Sequence, residues 1–221
     1  MPDVASDGDQ WLASVAYDPG LLEERHRYKL LTGCVVPRPI ALVTTLSDHG
    51  VNAAPFSLFN MVATDPPMLA FSIGGQGNGR EKDTLANIRS TPQFVVHICS
   101  ESIASQMNVC ATDFPANVSE IAEAGFATVP SMKIGPPRIV QAPVQMECTL
   151  AHLLALGRRH HLVIGEVVMF HFHAGLVDER YNVDVLALRP VGRLSGPRYT
   201  RVREVFQLER QFIGATPAQL S

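Results

Sequence analysis

Three side chains suited to binding a phosphate lie close together at Arg80, Lys82 and Thr84. They follow the glycine-rich segment GGQGNG and stand where a stretch with helical spacing begins. A helix start offers free N–H groups and the positive end of the helix dipole. A guanidinium, an ammonium and a hydroxyl at that point favour an anion such as phosphate. The alternative is a flexible, solvated surface turn, since the segment matches neither standard nucleotide-binding glycine motif.

A second candidate segment is the apolar stretch VNAAPFSLFNMVATDPP at residues 51–67, which carries hydrogen-bonding side chains. In a regular strand Asn52 and Asn60 share one face and Ser57 lies on the other. Pro55 permits a bulge that would redirect these side chains. The segment is either a barrel rim with satisfied polar groups or a strand that holds a flat polar heterocycle. In the second case, backbone and amide hydrogen bonds would fix the ligand in a mostly apolar pocket.

The histidines form no recognisable metal or hydrolytic site. His171 and His173 share a face of a predicted strand, and His152 belongs to its predicted neighbour, but no zinc-ligand spacing is present. We predict surface or interface histidines and no bound metal. The chain also lacks a GxSxG motif, and no nucleophile has an obvious base, so we assign no catalytic residue.

Composition excludes several classes of partner. Charged residues make up 18% of the 221, against about 25% in average domains, and this predicts some apolar surface that a subunit interface would cover. A net charge of −3 argues against nucleic-acid or anionic-membrane binding. The N-terminus lacks the features of a signal peptide, and no apolar run reaches the length of a membrane span.

The cysteines indicate a reducing compartment. They are far apart, form no CxxC pair and have apolar or small neighbours, so we predict reduced thiols in a cytoplasmic protein. The four are Cys34, Cys99, Cys110 and Cys148.

The coarse pattern has many strands around one helical insertion, which predicts an all-β dominated fold with inserted helices, in a closed or split antiparallel barrel. We expect a flexible arm at 1–17, a single domain at 18–206 and a tail at 207–221. Predicted helices cover 18–33, 83–90 and much of 101–125, with a short one in the tail. Predicted strands cover 38–46, 51–63, 68–74, 93–100, 144–156, 161–177 and 183–194.

The ordered set RPIALVTTLSDHGVNAAPFSLFNMVATDPPMLAFSI, REKDTLANI, QFVVHIC, HHLVIGEVV and LRPVGRLSGPRYTRV resembles the flavin reductase-like family. The resemblance runs from about Arg38 to Arg203. It implies the FMN-binding split-barrel fold, a six-stranded Greek-key barrel that usually forms a homodimer with FMN near the subunit interface. One departure is the glycine-rich loop before Arg80, which is longer than the family pattern and leaves the role of Arg80 open.

The same resemblance implies which residues contact the flavin. The NAAPFS strand and the threonines of the strand before it would lie beside the ring, and the KDT element would hold the phosphate. The RP pair would stand at the barrel entrance, and the GPRYT element would approach the flavin site. The predicted cofactor-binding residues are Arg38, Pro39, Thr44, Thr45, Asn52, Ala53, Ala54, Ser57, Asn60, Arg80, Lys82, Asp83, Thr84, Arg198 and Tyr199.

The function implied is an NAD(P)H-dependent flavin reductase that passes a hydride from the nicotinamide to flavin N5. FMN is the expected cofactor, with FAD as an alternative, and a flavin-dependent monooxygenase is a candidate partner. The cofactor carries the chemistry, while Thr45 or N–H groups near Asn52 would stabilise negative charge on the reduced ring.

Three other functions stay open. One is an oxygenase or oxidase for a small organic substrate, contacted by His152, His160 or Tyr199. Another is an FMN electron carrier without a substrate of its own. The last is a binding module that has lost its flavin, against which the intact KDT element argues.

Overall fold

The computed structural model describes residues 14–75, 81–115 and 118–209. The predicted domain boundaries after residues 17 and 206 stay predictions, because the described residues begin at 14, inside the expected arm, and end at 209, inside the expected tail. The strands are β1 (Ala41–Ser47), β2 (Gly50–Phe56), β3 (Phe59–Thr64), β4 (Pro67–Gly74), β5 (Gln93–Ile98), β6 (Thr128–Val129), β7 (Arg138–Ile139), β8 (Val144–Leu156), β9 (His160–Phe172), β10 (Val191–Arg193) and β11 (Tyr199–Arg201). The helices are α1 (Glu24–Cys34), α2 (Asp83–Ser90), α3 (Ala104–Val109), α4 (Glu120–Glu123) and α5 (Val185–Leu188).

Seven strands form one antiparallel sheet in the order β2-β1-β5-β8-β9-β4-β3. Its two outermost strands, β2 and β3, are consecutive in the chain, with only Ser57 and Leu58 between them. Two residues cannot cross a flat seven-stranded sheet, so the sheet curls until β2 and β3 come together at the bend between them, without pairing along their length. At this corner the N–H of Ser72 on β4 donates to the Leu58 carbonyl at 2.8 Å. The predicted strand 51–63 is therefore β2 and β3 joined by a bend, and the predicted antiparallel barrel is confirmed.

Alternation along β1 separates two hydrophobic cores. Ala41 and Val43 face the barrel interior, where Phe71 and Phe94 meet edge to face with ring centroids 5.4 Å apart. Leu42 faces the other way and packs in a second cluster with residues of the 99–142 segment. Strand β1 reads as a continuous apolar run because both of its faces are buried.

The helices are short and cover the barrel. The longest, α1, has eleven residues, and within the described ranges no helix is long and apolar enough to cross a membrane. Helix α2 places Leu85 and Ile88 in the interior core, so it closes one end of the barrel and brings its first turn beside β2.

Three predicted elements need correction. The strand predicted at 183–194 is wrong, because α5 precedes the short β10. The Asp184 carboxylate accepts from the N–H groups of Leu186 and Ala187 and thereby caps a helix. Among the described residues of 101–125, helix is limited to a 3-10 turn at Glu101–Ile103 and to α3 and α4. In the tail, the described residues 202–209 form no helix.

Candidate functional site

Strand β2 and the start of α2 bring three predicted flavin-contact residues together. The Thr84 hydroxyl and the Asn52 side-chain amide, 32 positions apart in sequence, are hydrogen-bonded at 3.1 Å. With its oxygen accepting from Thr84, the amide of Asn52 turns its nitrogen towards Glu120 Oε1 at 3.3 Å, so both of its ends are satisfied. Lys82 is the N-cap residue of α2. The strand motif and the helix motif therefore form one site.

A cavity of about 100 Å³ lies between β2, the start of α2 and residues 110–114. Sequence reasoning did not single out the 110–114 segment or Glu120, which also lines the cavity. The predicted cofactor-binding residues that line it are Asn52, Ala54, Lys82, Asp83 and Thr84.

Negative groups outnumber positive ones around this cavity. Among its described lining residues Lys82 is the one cation, whereas Asp83, Asp113 and Glu120 carry carboxylates. Burial raises the pKa of Glu120, and the nearby Asp83 charge acts in the same direction. Arg80, the other predicted cation, lies outside the described residues. A phosphate here would therefore depend on Lys82 and on the free N–H groups of the first turn of α2.

Glu120 occupies the outer edge of β2. This strand ends the sheet, so its backbone groups on one side have no strand partner. Glu120 Oε2 accepts from the N–H of Ala53 at 3.3 Å, and the Ser119 hydroxyl donates to the Val51 carbonyl at 3.3 Å. The sequence predicted that a flavin would use these backbone groups, and in the structure a carboxylate and a hydroxyl use them.

The two threonines of β1 point to opposite faces, and both are fully buried. The Thr45 hydroxyl accepts from the Asn87 amide at 3.0 Å, while Thr44 donates to the Pro137 carbonyl at 2.7 Å. Their hydroxyls thus have protein partners, and their predicted contact with a flavin stays a prediction.

Arg38 is buried and joins three parts of the chain. Its guanidinium donates to the carbonyls of Thr32 at 2.8 Å, Val35 at 2.7 Å and Leu194 at 3.0 Å. These contacts hold the end of α1 against the segment after β10, while Pro39 beside it is exposed. Arg38 therefore has a structural role in joining α1 to the segment after β10, and its place at the barrel entrance stays a prediction.

Two predicted residues lie at the corner between β2 and β3. Ser57 is half-buried, and Asn60 is exposed with its side-chain oxygen accepting from the Met61 N–H at 2.9 Å. Neither lines the cavity around Asn52. The structure does not bring them together with the residues at the start of α2.

The last two predicted residues, Arg198 and Tyr199, lie elsewhere. Arg198 is exposed and donates to the Ser195 hydroxyl at 2.8 Å. The Tyr199 hydroxyl contacts the Arg193 guanidinium and lies 3.4 Å from the Asn108 side-chain oxygen. Tyr199 lines a larger, open cavity of about 650 Å³, which shares no lining residue with the cavity around Asn52. Of the predicted set, Tyr199 therefore lines a different cavity from the residues around Asn52, and Arg198 lines neither of the two.

The histidines of β9 and its end hold the 128–139 loop. His171 Nε2 lies 2.7 Å from Glu147 Oε1, and the buried Glu147 carboxylate also accepts from the N–H groups of Met132 and Lys133 at 2.7 Å. His173 contacts the Val140 carbonyl at 2.9 Å. Within the described part of the chain no group of three or more His, Cys, Asp or Glu side chains could hold a metal ion.

Two solved structures resemble this chain over nearly their full length. Nitrilotriacetate monooxygenase component B from Bacillus cereus is 37% identical, with a TM-score of 0.85, covering 89% of this chain and 99% of that one. The 2-nitrobenzoate 2-nitroreductase NbaA from Pseudomonas fluorescens is 38% identical, with a TM-score of 0.83, covering 92% and 100%. The likeness extends over the whole split barrel.

Sequence comparison places the chain in one family. The uncharacterized protein YwrF of Bacillus subtilis is 39% identical over 196 residues, which cover 86% of this chain and 95% of the relative. The family described as "Flavin reductase like domain" matches residues 32–187, which include β1 to β9 and the cavity around Asn52. With the split-barrel neighbours, this supports a flavin oxidoreductase. The chain therefore belongs to the flavin reductase-like family.

Proposed function

We propose that this protein is an FMN-dependent flavin reductase that takes electrons from NADH or NADPH. One observation carries the proposal: Asn52 of β2 and Lys82 and Thr84 at the start of α2 line one cavity in a barrel of this family. The strand motif would serve the ring and the helix motif the phosphate, which are opposite ends of one ligand.

The donor groups around the cavity fit FMN, whereas its volume requires a movement. Lys82, the Thr84 hydroxyl and the N–H groups of α2 suit a phosphate, and the Ala53 N–H suits a ring carbonyl. A cavity of about 100 Å³ is smaller than the roughly 300–1,000 Å³ of typical ligand sites. We infer that the Glu120 carboxylate leaves the edge of β2 when a flavin binds.

The protein's part in the reaction is to bind and orient. When bound, FMN supplies the hydride chemistry at N5, so the site needs no acid–base residue. Lys82 and the first turn of α2 hold the anionic end, and β2 holds the ring edge through Ala53 and Asn52. A ring fixed in this way would need one face open to the nicotinamide, because hydride transfer requires the two rings at reacting distance.

The solved relatives support two candidate uses of the electrons. A component B of a monooxygenase suggests delivery to a partner monooxygenase, which is our first candidate. A nitroreductase suggests direct reduction of a small nitroaromatic acid, which is the second. A partner component that turns over only when this protein and a nicotinamide nucleotide are both present would support the first candidate.

We further propose a cytoplasmic location. All four cysteines are free thiols, and three of them are buried. Burial raises the pKa of Cys99 and of Cys148 far above the usual range of a thiol, which keeps both unreactive. Unpaired cysteines are typical of reducing compartments.

The decisive experiment is anaerobic reduction of the FMN-loaded protein. We expect rapid bleaching of the visible flavin spectrum on mixing with NADH or NADPH. Bleaching only by electrons from another protein would indicate a carrier, and oxygen uptake with a metabolite but no bleaching by nucleotides would indicate an oxygenase. A protein that cannot be loaded with FMN would contradict the proposal.

Lys82→Ala tests the phosphate assignment separately. Loss of one charge-assisted contact is expected to weaken FMN binding by about 1–3 kcal/mol, measured by quenching of flavin fluorescence. Lys29→Ala, an exposed lysine on α1, removes the same charge away from the cavity and serves as control. Unchanged FMN affinity in Lys82→Ala would contradict the assignment of the FMN phosphate to the start of α2.

A further inference from the structure

Residues 189–203 concentrate positive charge in an acidic protein. This stretch, RPVGRLSGPRYTRVR, holds five arginines and no carboxylate side chain, although the chain as a whole has a net charge of −3. In the structure it includes β10 and β11, which form an antiparallel hairpin beside α3. Arginines therefore outnumber carboxylates in this part of the chain, although Glu204 follows it directly.

Glu101 is the carboxylate that meets these arginines, and it does not neutralise them. Its Oε2 lies 3.3 Å from Arg189, 3.0 Å from Arg201 and 2.9 Å from Arg203. The hydrogen bond from Arg203, supported by the Arg189 charge, lowers the pKa of Glu101 to about 2. One carboxylate thus holds three guanidinium groups in place and leaves an excess of positive charge.

The open cavity of about 650 Å³ lies at this cluster. Arg193 stacks its guanidinium over the Tyr199 ring at 4.5 Å from the centroid, and among the described residues it has no carboxylate partner. Neutral hydrogen-bonding groups complete the wall. The polar lining includes Glu101, Ser105, Asn108, Arg193, Tyr199 and Arg201.

The position of this cavity relates it to the cavity around Asn52. Asn108 of α3 lines the basic cavity, and Cys110, two residues further along, lines the cavity around Asn52. Two residues of helix rise about 3 Å and turn by about 200°, so the two cavities lie against opposite sides of the C-terminal end of α3. A dinucleotide whose phosphates lie in the basic cavity would therefore extend past the end of α3 to reach a flavin bound beside Asn52.

We propose that the basic cavity binds the phosphate groups of the nicotinamide nucleotide that reduces the flavin. This inference rests on the proposed function, and it assigns to the electron donor a site separate from the FMN phosphate seat at Lys82. Arginine forks match the geometry of phosphate oxygens, and the cavity lies within the size range of ligand sites. The cavity around Asn52 is smaller and richer in carboxylates, which disfavours a second phosphate there.

Arg201→Gln tests the proposal in the FMN-loaded protein. We expect Arg201→Gln to bind NADP⁺ about tenfold more weakly than the wild type, with or without a similar loss for NAD⁺, and to keep its FMN affinity. Calorimetric titration measures the nucleotide affinities. An effect on NADP⁺ alone would assign the ribose 2′-phosphate to the cavity, and an effect on both would assign the pyrophosphate. Inorganic phosphate is expected to compete with the nucleotide in the wild type, and Arg201→Lys should recover part of the affinity.

Arg180→Gln is the matched control, because it removes an exposed arginine outside the cavity and should leave nucleotide binding unchanged. Equal nucleotide affinity in Arg201→Gln and in the wild type overturns the inference. A variant that binds FMN more weakly but binds the nucleotide as tightly as the wild type also overturns it. If NADH or NADPH still bleaches the flavin of Arg201→Gln at an unchanged half-saturating concentration, the inference fails while the proposed function stands. The oxidised nucleotides are not turned over, so the binding result does not depend on flavin reduction.

Discussion

His97 shows how one buried side chain sets a condition on stability. It is fully buried on β5, where Nδ1–H donates to the Leu42 carbonyl at 2.9 Å and Nε2 accepts from the Ile139 N–H at 2.9 Å. These two bonds require the neutral ring. Burial lowers the pKa of His97 from 6.5 to about 4, because a charged imidazole would lose hydration in the core.

We therefore expect acid to destabilise the fold through His97. The unfolded chain binds a proton near pH 6.5 and the folded one only near pH 4, so the contribution is present above pH 6.5 and is lost as the pH falls through this window. The loss amounts to roughly 3 kcal/mol by pH 4. Urea unfolding between pH 7 and pH 4 measures it. His97→Gln should flatten this dependence, whereas the exposed His49→Gln should keep it, and equal slopes in all three proteins would contradict the assignment.

Residue motifs singled out Asn52, Lys82 and Thr84, which the structure brings to one cavity, but they did not single out Glu120, and the flavin contacts stay a prediction. Asn52, Lys82 and Thr84 were recognisable because each occurs in a local pattern with a physical reason for a polar group. Glu120 was not recognisable, because it reaches Ala53 from 67 residues further along the chain. The separation of Tyr199 from the cavity around Asn52 likewise depends on tertiary packing that no local pattern contains.

At the scale of elements, α4 covers the edge of β2, because its Glu120 carboxylate accepts from the Ala53 N–H that we propose for the flavin ring. Glu120→Ala removes the acceptor from the Ala53 N–H and a negative charge from the cavity, so we expect about tenfold tighter FMN binding, or roughly 1.4 kcal/mol. Glu120→Gln keeps the shape without the charge and should give an intermediate affinity. Fluorescence titration of FMN measures both.

Glu123→Ala provides the comparison on the same helix, since this residue is exposed and does not line the cavity. Its FMN affinity should equal that of the wild type. Weaker FMN binding in Glu120→Ala would mean that the carboxylate takes part in the bound state, and our account of its displacement would be wrong.

The type of an element was predictable where its hydrophobic pattern ran over many residues. The predicted boundaries were wrong where one or two residues determine the turn or the helix start. Strand β8 and helix α2 were predicted with the bounds that the structure has. The bend at Ser57 and Leu58 escaped notice, because the apolar pattern continues across it. At residues 183–194 the β-branched pattern outweighed Asp184, whose capping of two N–H groups in fact starts α5.

At the scale of the whole molecule, the split barrel leaves an apolar edge at β3. Strand β3 ends the sheet and exposes Met61 by 60% and Val62 by 53%, with Leu58 exposed at the preceding bend. An exposed edge strand with adjacent apolar side chains is a liability unless another chain covers it. The low charge content of the sequence predicted this need for a partner, although it could not locate the surface.

We expect the protein to form a homodimer whose interface includes β3. Sedimentation velocity should give about twice the chain mass of 24.1 kDa for the wild type. Met61→Asp combined with Val62→Asp should shift the species to the monomer, because two carboxylates would be buried without partners on the dyad. Leu21→Asp places the same charge at a residue that is 86% exposed and away from β3, and it should remain dimeric. A monomeric wild type would exclude the homodimer, whereas a dimer that survives the double substitution would move the interface to another face of the barrel.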